Sequence, residues 1–413
     1  MASSDPKYDI IVLGATGYSA SLCAEHITTH FSTDLKWAVA GRSAMKLEAL
    51  VDELKRLNPD RRQPGIEVIQ LTKEELEGLV RKTRVLINGI GPYHLHSSPV
   101  VEACANNGTH YLDFTTETMW VSDMVQRYHD KAKETGAIVS DSSPSDILAF
   151  LVASSMRKSH LSGTSEAICS AGTKLQGMSR GSFETVLTVM THYGVFWFLS
   201  GNSWRLSPTQ RPAHITSTTF LSRLLGYRRV PELGILTTFF NGLQNESVVH
   251  RSKGLMPDIY GPQFYYHEYQ PVDSMFVAIG TNFVLKLGIF LLMFPPIHWL
   301  VKILFSSSLH APGRESSRKA AEEERLDYRT IGTAYEGKGE EARAEFVYNG
   351  SMYYLSGLLG AEAAMVLVGE DCRAKEIGGG VLTPATLGLR FVERLRNAGV
   401  EINVKAAGES FVN

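Results

Sequence analysis

Residues 8–13 (YDIIVL) form an apolar, β-branched run that reads as a buried strand, and a glycine turn at 14–17 leads into a helical stretch from Ser19 to about His30. The alternation then repeats. Apolar runs at 37–40 (WAVA), 66–70 (IEVIQ), 84–88 (RVLIN), 109–113 (THYLD) and 137–140 (AIVS) read as strands. Helical patterns at Ala44–Leu57, 73–81, Pro99–Asn107 and 118–135 separate them, the first with leucines at 47, 50, 54 and 57 along one face. Strands alternating with helices at this spacing predict an α/β domain with a parallel, doubly wound sheet over about residues 1–150.

Beyond residue 150 the alternation stops. Residues 164–195 and 212–270 mix short aromatic and β-branched runs with Gly and Pro, which suggests an antiparallel sheet in a second domain over 151–350. The stretch from Phe276 to Phe294 is almost wholly apolar, broken by Asn282 and Lys286; Pro295 and Pro296 end it, and 297–305 continues apolar. About 20 apolar residues can cross a bilayer. The interior asparagine and lysine favour instead a helical hairpin on a membrane or lipid surface, or a helix buried in the core or a homodimer. Residues 311–327 are charged and read as a solvated loop. A strand-like pattern resumes at 330–349, followed by helices at about 354–369 and 384–397 and a strand at 400–404.

The chemistry concentrates in the turns. Gly14, Ala15, Thr16, Gly17 and Tyr18 open a GxxGxxA pattern that ends at Ala20, between a strand and a helix. Gly14 suits a tight turn and Gly17 a close backbone approach to a pyrophosphate, which would rest on the amides of the helix N-terminus. An NAD site usually closes the next strand with an acidic residue. Here that place holds Ala40-Gly41-Arg42-Ser43, and Arg42 with Ser43 suits a 2′-phosphate, so the expected cofactor is NADPH. The strand at 84–88 ends in Asn88-Gly-Ile-Gly91-Pro92-Tyr93. Asn88 and Gly91 are thereby expected near the nicotinamide. Tyr93 and His94 are candidate proton sources, and Glu117 and Asp141 candidate substrate-orienting acids. His94 hydrogen-bonding a loop, and acids capping helices, are the plainer readings.

Composition narrows the class. A chain of 413 residues exceeds one ordinary core. A net charge of −2 lacks the basic face that nucleic acid requires. Cys23, Cys104, Cys169 and Cys372 are far apart, forming neither a CxxC pair nor a disulfide framework. His26 and His30 have metal-like spacing but no third ligand, and read as surface residues. Residues 1–7 carry no basic segment ahead of an apolar one, so a cytoplasmic protein is expected, with membrane or lipid-droplet association through 276–305.

Taken together, Gly14-Ala-Thr-Gly17, Ala40-Gly41-Arg42-Ser43, Asn88-Gly-Ile-Gly91-Pro92-Tyr93, Gly108-Thr-His-Tyr-Leu-Asp113, Pro144-Ser-Asp146 and Gly378-Gly-Gly380-Val-Leu-Thr383-Pro384 occur in the order seen in saccharopine-dehydrogenase-like oxidoreductases, and the chain resembles their trans-acting enoyl reductase branch. The resemblance implies a Rossmann domain, an inserted α+β domain, and C-terminal helices over 351–413 that return to the first. It also implies NAD(P)H-dependent reduction of an enoyl or carbonyl group on a polyketide- or lipid-like substrate. Two departures stand out. Ala20 replaces the third glycine, and Val139-Ser140 runs directly into Asp141-Ser-Ser-Pro144 where the family carries Cys-Gly-Phe-Asp-Ser-Ile-Pro. The shortened loop keeps two other readings open: a lipid-associated binding protein on the same scaffold, and a non-redox isomerase or cyclase.

Overall fold

The computed structural model describes residues 6–140, 143–158, 163–177, 179–194, 201–213, 219–292, 294–306, 321, 323–334 and 340–405. Asp141, and most of the charged stretch expected as a loop at 311–327, lie outside them.

The chain forms two compact units, each assembled from separated pieces: residues 1–142 with 351–399, and 143–350 with 400–413. The first unit begins with β1 (Tyr8–Leu13), α1 (Tyr18–His30), β2 (Trp37–Gly41), α2 (Ala44–Leu57), β3 (Gly65–Val68), α3 (Lys73–Val80) and β4 (Thr83–Asn88). It continues with α4 (Tyr93–His96), α5 (Ser98–Asn107), β5 (His110–Asp113), α6 (Thr118–Thr135) and β6 (Ile138–Ser140). Strand order 6-5-4-1-2-3, all parallel, makes the α/β doubly wound sheet that the alternation calls for. Central strands need apolar residues on both faces, and β1 and β4 supply Ile10–Leu13 and Val85–Ile87, all buried. On α2, Leu47, Leu50 and Leu54 are buried, at about 1.5–3 kcal/mol each. Leu57, expected on the same face, is exposed because the helix ends there.

The second unit starts with α7 (Pro144–Lys158), so the expected boundary at residue 150 falls inside a helix. A seven-stranded sheet follows, built from β7 (Thr164–Lys174), β8 (Tyr227–Val230), β9 (Gly234–Thr238), β10 (Tyr265–Val272), β11 (Arg325–Ala334) and β12 (Glu341–Asn349), with a seventh strand from residues 401–405. It is mixed rather than purely antiparallel, because β10 runs parallel to β7. Two segments expected within the sheet are helices: Arg180–Tyr193, capped by Ser179 accepting from Ser182 N–H, and Gly242–Leu255. The apolar stretch is a pair of helices, Met275–Leu292 and Pro295–Ser306.

After residue 350 the chain returns to the first unit. The helix Met352–Gly369 packs on α1 and the sheet, and β13 (Gly380–Val381) adds a seventh parallel strand beside β6. Gly378, Gly379 and Gly380 all have positive φ, and a Cβ on Gly379 would lie 2.7 Å from the Ala137 carbonyl oxygen. That tight approach explains the glycine run ahead of the strand. The helix Gly388–Asn397 completes this unit. The final strand β14 (Glu401–Lys405) pairs with β12, so the last segment belongs to the second unit and not, as expected, wholly to the first.

Among the described residues, two helices are long and apolar enough to cross a membrane, Met275–Leu292 and Met352–Gly369. The latter is 61% buried, the core helix of its unit; the former is only 11% buried.

Candidate functional site

In a doubly wound sheet the ligand crevice opens beyond the carboxyl ends of the strands, where the strand order reverses. Here β1 lies between β2 and β4, so the reversal is at β1 and β4. The sequence places its glycine loops after these two strands.

The loop after β1 is held tightly. Gly14 N–H and Ala15 N–H donate to the Ala40 carbonyl at 2.8 and 3.3 Å, and Gly17 N–H donates to Gly14 at 2.8 Å. Gly14 has φ +71°, and a Cβ there would lie 2.7 Å from Ile90 Cγ1, so the two glycine loops touch. Gly17 caps α1, whose N-terminus carries no side-chain cap and no acidic residue in its first turn. Amides at such a terminus have no partners within their helix, and the dipole favours an anion. Thr16 is exposed, Ala15 is buried, and Tyr18 rests against Tyr353 at 5.0 Å between ring centres. This cradle fits a dinucleotide pyrophosphate.

The missing third glycine is explained across the crevice. A Cβ on Gly89 would sit 2.5 Å from the Ala20 Cβ, so Gly89 provides the space that a glycine at position 20 would otherwise leave. The sequence offers Gly89 as one of two glycines allowing backbone approach to the nicotinamide; its contact with Ala20 shows only in the packed pair.

At the end of β2, Arg42 is exposed. Ser43 caps α2, its hydroxyl accepting from Lys46 N–H at 3.4 Å. Ser43 thus starts the helix, and Arg42 stands exposed beside it, a cation that could meet a 2′-phosphate.

The loop after β4 is fixed from several sides. The Asn88 amide donates to Ser97 Oγ (2.8 Å) and Tyr111 Oη (3.0 Å), while its oxygen accepts from Ile90 N–H (3.1 Å). Ser97 Oγ donates to the Ile90 carbonyl at 2.8 Å. Asn88 is fully buried and Gly91 exposed. The Asn88 side chain therefore holds the loop's shape, and backbone around Gly91 faces outward.

Tyr93, His94 and Glu117, far apart in sequence, do come together. One Glu117 oxygen accepts from Tyr93 N–H (2.8 Å); the other accepts from His94 N–H (2.9 Å) and faces His94 Nδ1 at 2.6 Å. All three residues are buried. The Tyr93 hydroxyl donates to the Asn88 carbonyl at 3.2 Å and accepts from Phe114 N–H at 3.3 Å. Burial, with Asp113 nearby, pushes its phenol well above the usual range, so it keeps its proton. Glu117 caps a helix, though α4 rather than the one it precedes in sequence, and the trio supports the Gly89–Pro92 loop. Ser97, Tyr111 and Thr115 complete this support: Tyr111 Oη donates to Asp113 at 2.8 Å and Thr115 Oγ1 accepts from Glu117 N–H at 3.0 Å. Their roles rest on tertiary contacts that no local pattern signals.

His26 is not on the surface as expected. It is fully buried, with Nε2 2.9 Å from Glu362 and Nδ1 3.2 Å from Tyr354 Oη, because Met352–Gly369 packs over α1. Glu362 in turn accepts from Arg394 Nε at 2.7 Å.

With this geometry in place, comparison with known proteins is informative. Residues 10–139 match the family described as saccharopine dehydrogenase NADP binding domain. A trans-acting enoyl reductase of Mycobacterium ulcerans (strain Agy99) is 28% identical, covering 98% of this chain and 99% of the relative. One from Mycobacterium tuberculosis (strain ATCC 25618 / H37Rv) is 28% identical over 97% of this chain and 98% of its own length. Among solved structures, saccharopine dehydrogenase (L-Glu forming) from Saccharomyces cerevisiae superposes with a TM-score of 0.55 at 13% identity, covering 97% of this chain and all of the other, which shows a shared fold.

Proposed function

From the saccharopine dehydrogenase NADP binding domain at residues 10–139, we propose that the protein is an NADPH-dependent oxidoreductase that reduces an enoyl or carbonyl group on a lipid- or polyketide-like substrate. The observation that carries the reading is the cradle at the strand-order reversal: Gly14 at φ +71° against Ile90, an uncapped α1, and exposed Arg42 at the end of β2 where an NAD site would carry an acid. The near full-length similarity to proteins named trans-acting enoyl reductases supports the substrate class.

Bound in this cradle, NADPH supplies a hydride. The chain's own residues bind and orient. The α1 amides hold the pyrophosphate, and the Arg42 guanidinium holds the 2′-phosphate by charge-assisted hydrogen bonds. Asn88, Ser97 and Glu117 fix the backbone from Gly89 to His94, so the loop facing the crevice keeps one shape through turnover.

Titration with NADPH and NADH, followed by nicotinamide fluorescence, tests the cofactor. NADPH should bind at least tenfold tighter, and Arg42→Glu should weaken NADPH by about 10- to 100-fold, the worth of a hydrogen bond to a charged group, while sparing NADH. Equal affinity for both cofactors in the wild type would remove Arg42 from the site. NADPH consumption with an α,β-unsaturated acyl thioester then tests the reaction. Tight NADPH binding without consumption of any enoyl or carbonyl substrate would favour the scaffold reading.

A further inference from the structure

Among the described residues of the second unit, most of the exposed large apolar side chains lie on or between the helices Met275–Leu292 and Pro295–Ser306. Phe276 is 89% exposed and Trp299 64%, with Phe283, Val284, Phe290 and Ile303 also exposed. A contiguous apolar surface of this kind marks a partner or a membrane.

Among the described residues, the helix Met275–Leu292 buries Ala278 and Asn282, on one side. Thr237 Oγ1 donates to the Ala278 carbonyl at 2.8 Å, Thr238 Oγ1 to Asn282 Oδ1 at 2.9 Å, and Asn282 Nδ2 to the Leu225 carbonyl at 3.1 Å. Ala278 and Asn282 are one turn apart and buried. They pin the first turns of the helix to β9 and to the short helix Phe220–Leu225, whose own Phe220, Leu221 and Leu224 are exposed. A helix pinned on one side is met by a bilayer from the other side and is not surrounded by it. Asn282, which breaks the apolar run in sequence, is therefore the anchor.

Charge identifies the occupant. From Thr185 to Pro231 the sequence contains no Asp or Glu but Arg205, Arg211, Arg223, Arg228 and Arg229. From Ser274 to Gly313 it again contains no carboxylate, but Lys286 and Lys302. Arg228 is committed to Glu166 inside the unit, and Glu232, at the end of the first stretch, pairs with Arg343. In a chain of net charge −2, the helices that build this apolar face, Phe220–Leu225 and the pair over 275–306, carry Arg223, Lys286 and Lys302 and no Asp or Glu. A homodimer interface does not require that bias; a surface of anionic headgroups around an acyl interior does.

We propose that the helix pair Met275–Ser306, together with the Phe220–Leu225 helix, docks on the surface of a phospholipid bilayer bearing anionic headgroups, its aromatic side chains entering one leaflet. The proposal is independent of the redox reading.

The test is flotation of the full chain with vesicles of phosphatidylcholine alone and of phosphatidylcholine with phosphatidylserine, alongside NADPH titration of the same preparations. The wild type should float with both and more strongly with the anionic vesicles. Phe283→Asp with Phe290→Asp should leave the protein in the soluble fraction while its NADPH affinity is unchanged, since both side chains are exposed in the other unit. Arg223→Glu with Lys286→Glu should weaken binding to the anionic vesicles by at least about fivefold for each charge removed and leave binding to phosphatidylcholine alone unchanged. In vesicles of brominated lipid, tryptophan quenching should fall in Trp299→Phe. A wild type that stays soluble with both vesicles overturns the proposal, as does a stable dimer that Phe283→Asp dissociates. Failure to bind NADPH would instead strike the proposed reaction and leave the docking result standing.

Discussion

Gly89 and Ala20 divide between two loops a clearance that a third glycine in the first loop would provide alone. Gly89→Ala should drive a methyl group into Ala20 Cβ, 2.5 Å away, displace the start of α1 and weaken NADPH by tenfold or more. Adding Ala20→Gly should restore most of that affinity, and the two single changes with the double form a cycle that titration can close. Glu117 gives a stability prediction. Its carboxylate serves two backbone amides and His94, so Glu117→Gln should cost about 1–3 kcal/mol in a denaturant melt, because Gln replaces an acceptor oxygen with a donor beside buried donors.

The elements of the first unit were legible because central strands such as β1 and β4 are buried on both faces and helices such as α2 on one, so local pattern and tertiary environment agree: β1, α2 and α6 have the boundaries that the pattern assigns. Legibility failed where they part. The helix Gly242–Leu255 gave no helical signal because its buried positions mix Val248 and Val249 with Ser247, His250, Arg251 and Lys253, leaving no apolar stripe. Met275–Leu292 was visible as an apolar run, but not its attachment, which runs through the Ala278 carbonyl and the Asn282 side chain. Asn282→Ala should strip the Leu225 carbonyl and Thr238 hydroxyl of their partner and lower stability by about 1–3 kcal/mol, read from a thermal melt of the full chain. In the site, the glycine loops and Arg42 were legible from order and type. The Glu117 cap was not, because it joins residues 23 and 24 positions apart.

At the scale of the whole molecule, the second unit carries two buried titrating groups of opposite sense. His250 accepts from Tyr266 N–H at Nε2 (3.2 Å) and faces the Ser203 carbonyl through Nδ1 (3.2 Å), an arrangement that requires the neutral ring, and burial pushes it down to about 3. Its stabilising effect is complete above its ordinary 6.5 and is lost as pH falls towards 3. Burial raises Glu268 from 4.5 to about 7, so its contribution is complete below 4.5 and is lost as pH rises through 7. Denaturation midpoints against pH should therefore lose their acid-side slope in His250→Gln and their slope between 4.5 and 7 in Glu268→Gln. The discontinuous units give a second check. Truncation after Gly399 removes β14 and its buried Ile402, which should loosen the second unit to proteolysis while NADPH binding by the first is retained.

The same discontinuity bears on synthesis. Each sheet receives an edge strand, β13 or β14, from residues 380–405, long after its neighbours β6 and β12 have been made. A nascent chain emerging from the ribosome thus carries β6 and β12 as open edges until residues 380–405 have been made, and such edges invite pairing with other chains. A chain cut short before residue 380 would then be far more prone to aggregate than one that includes both strands.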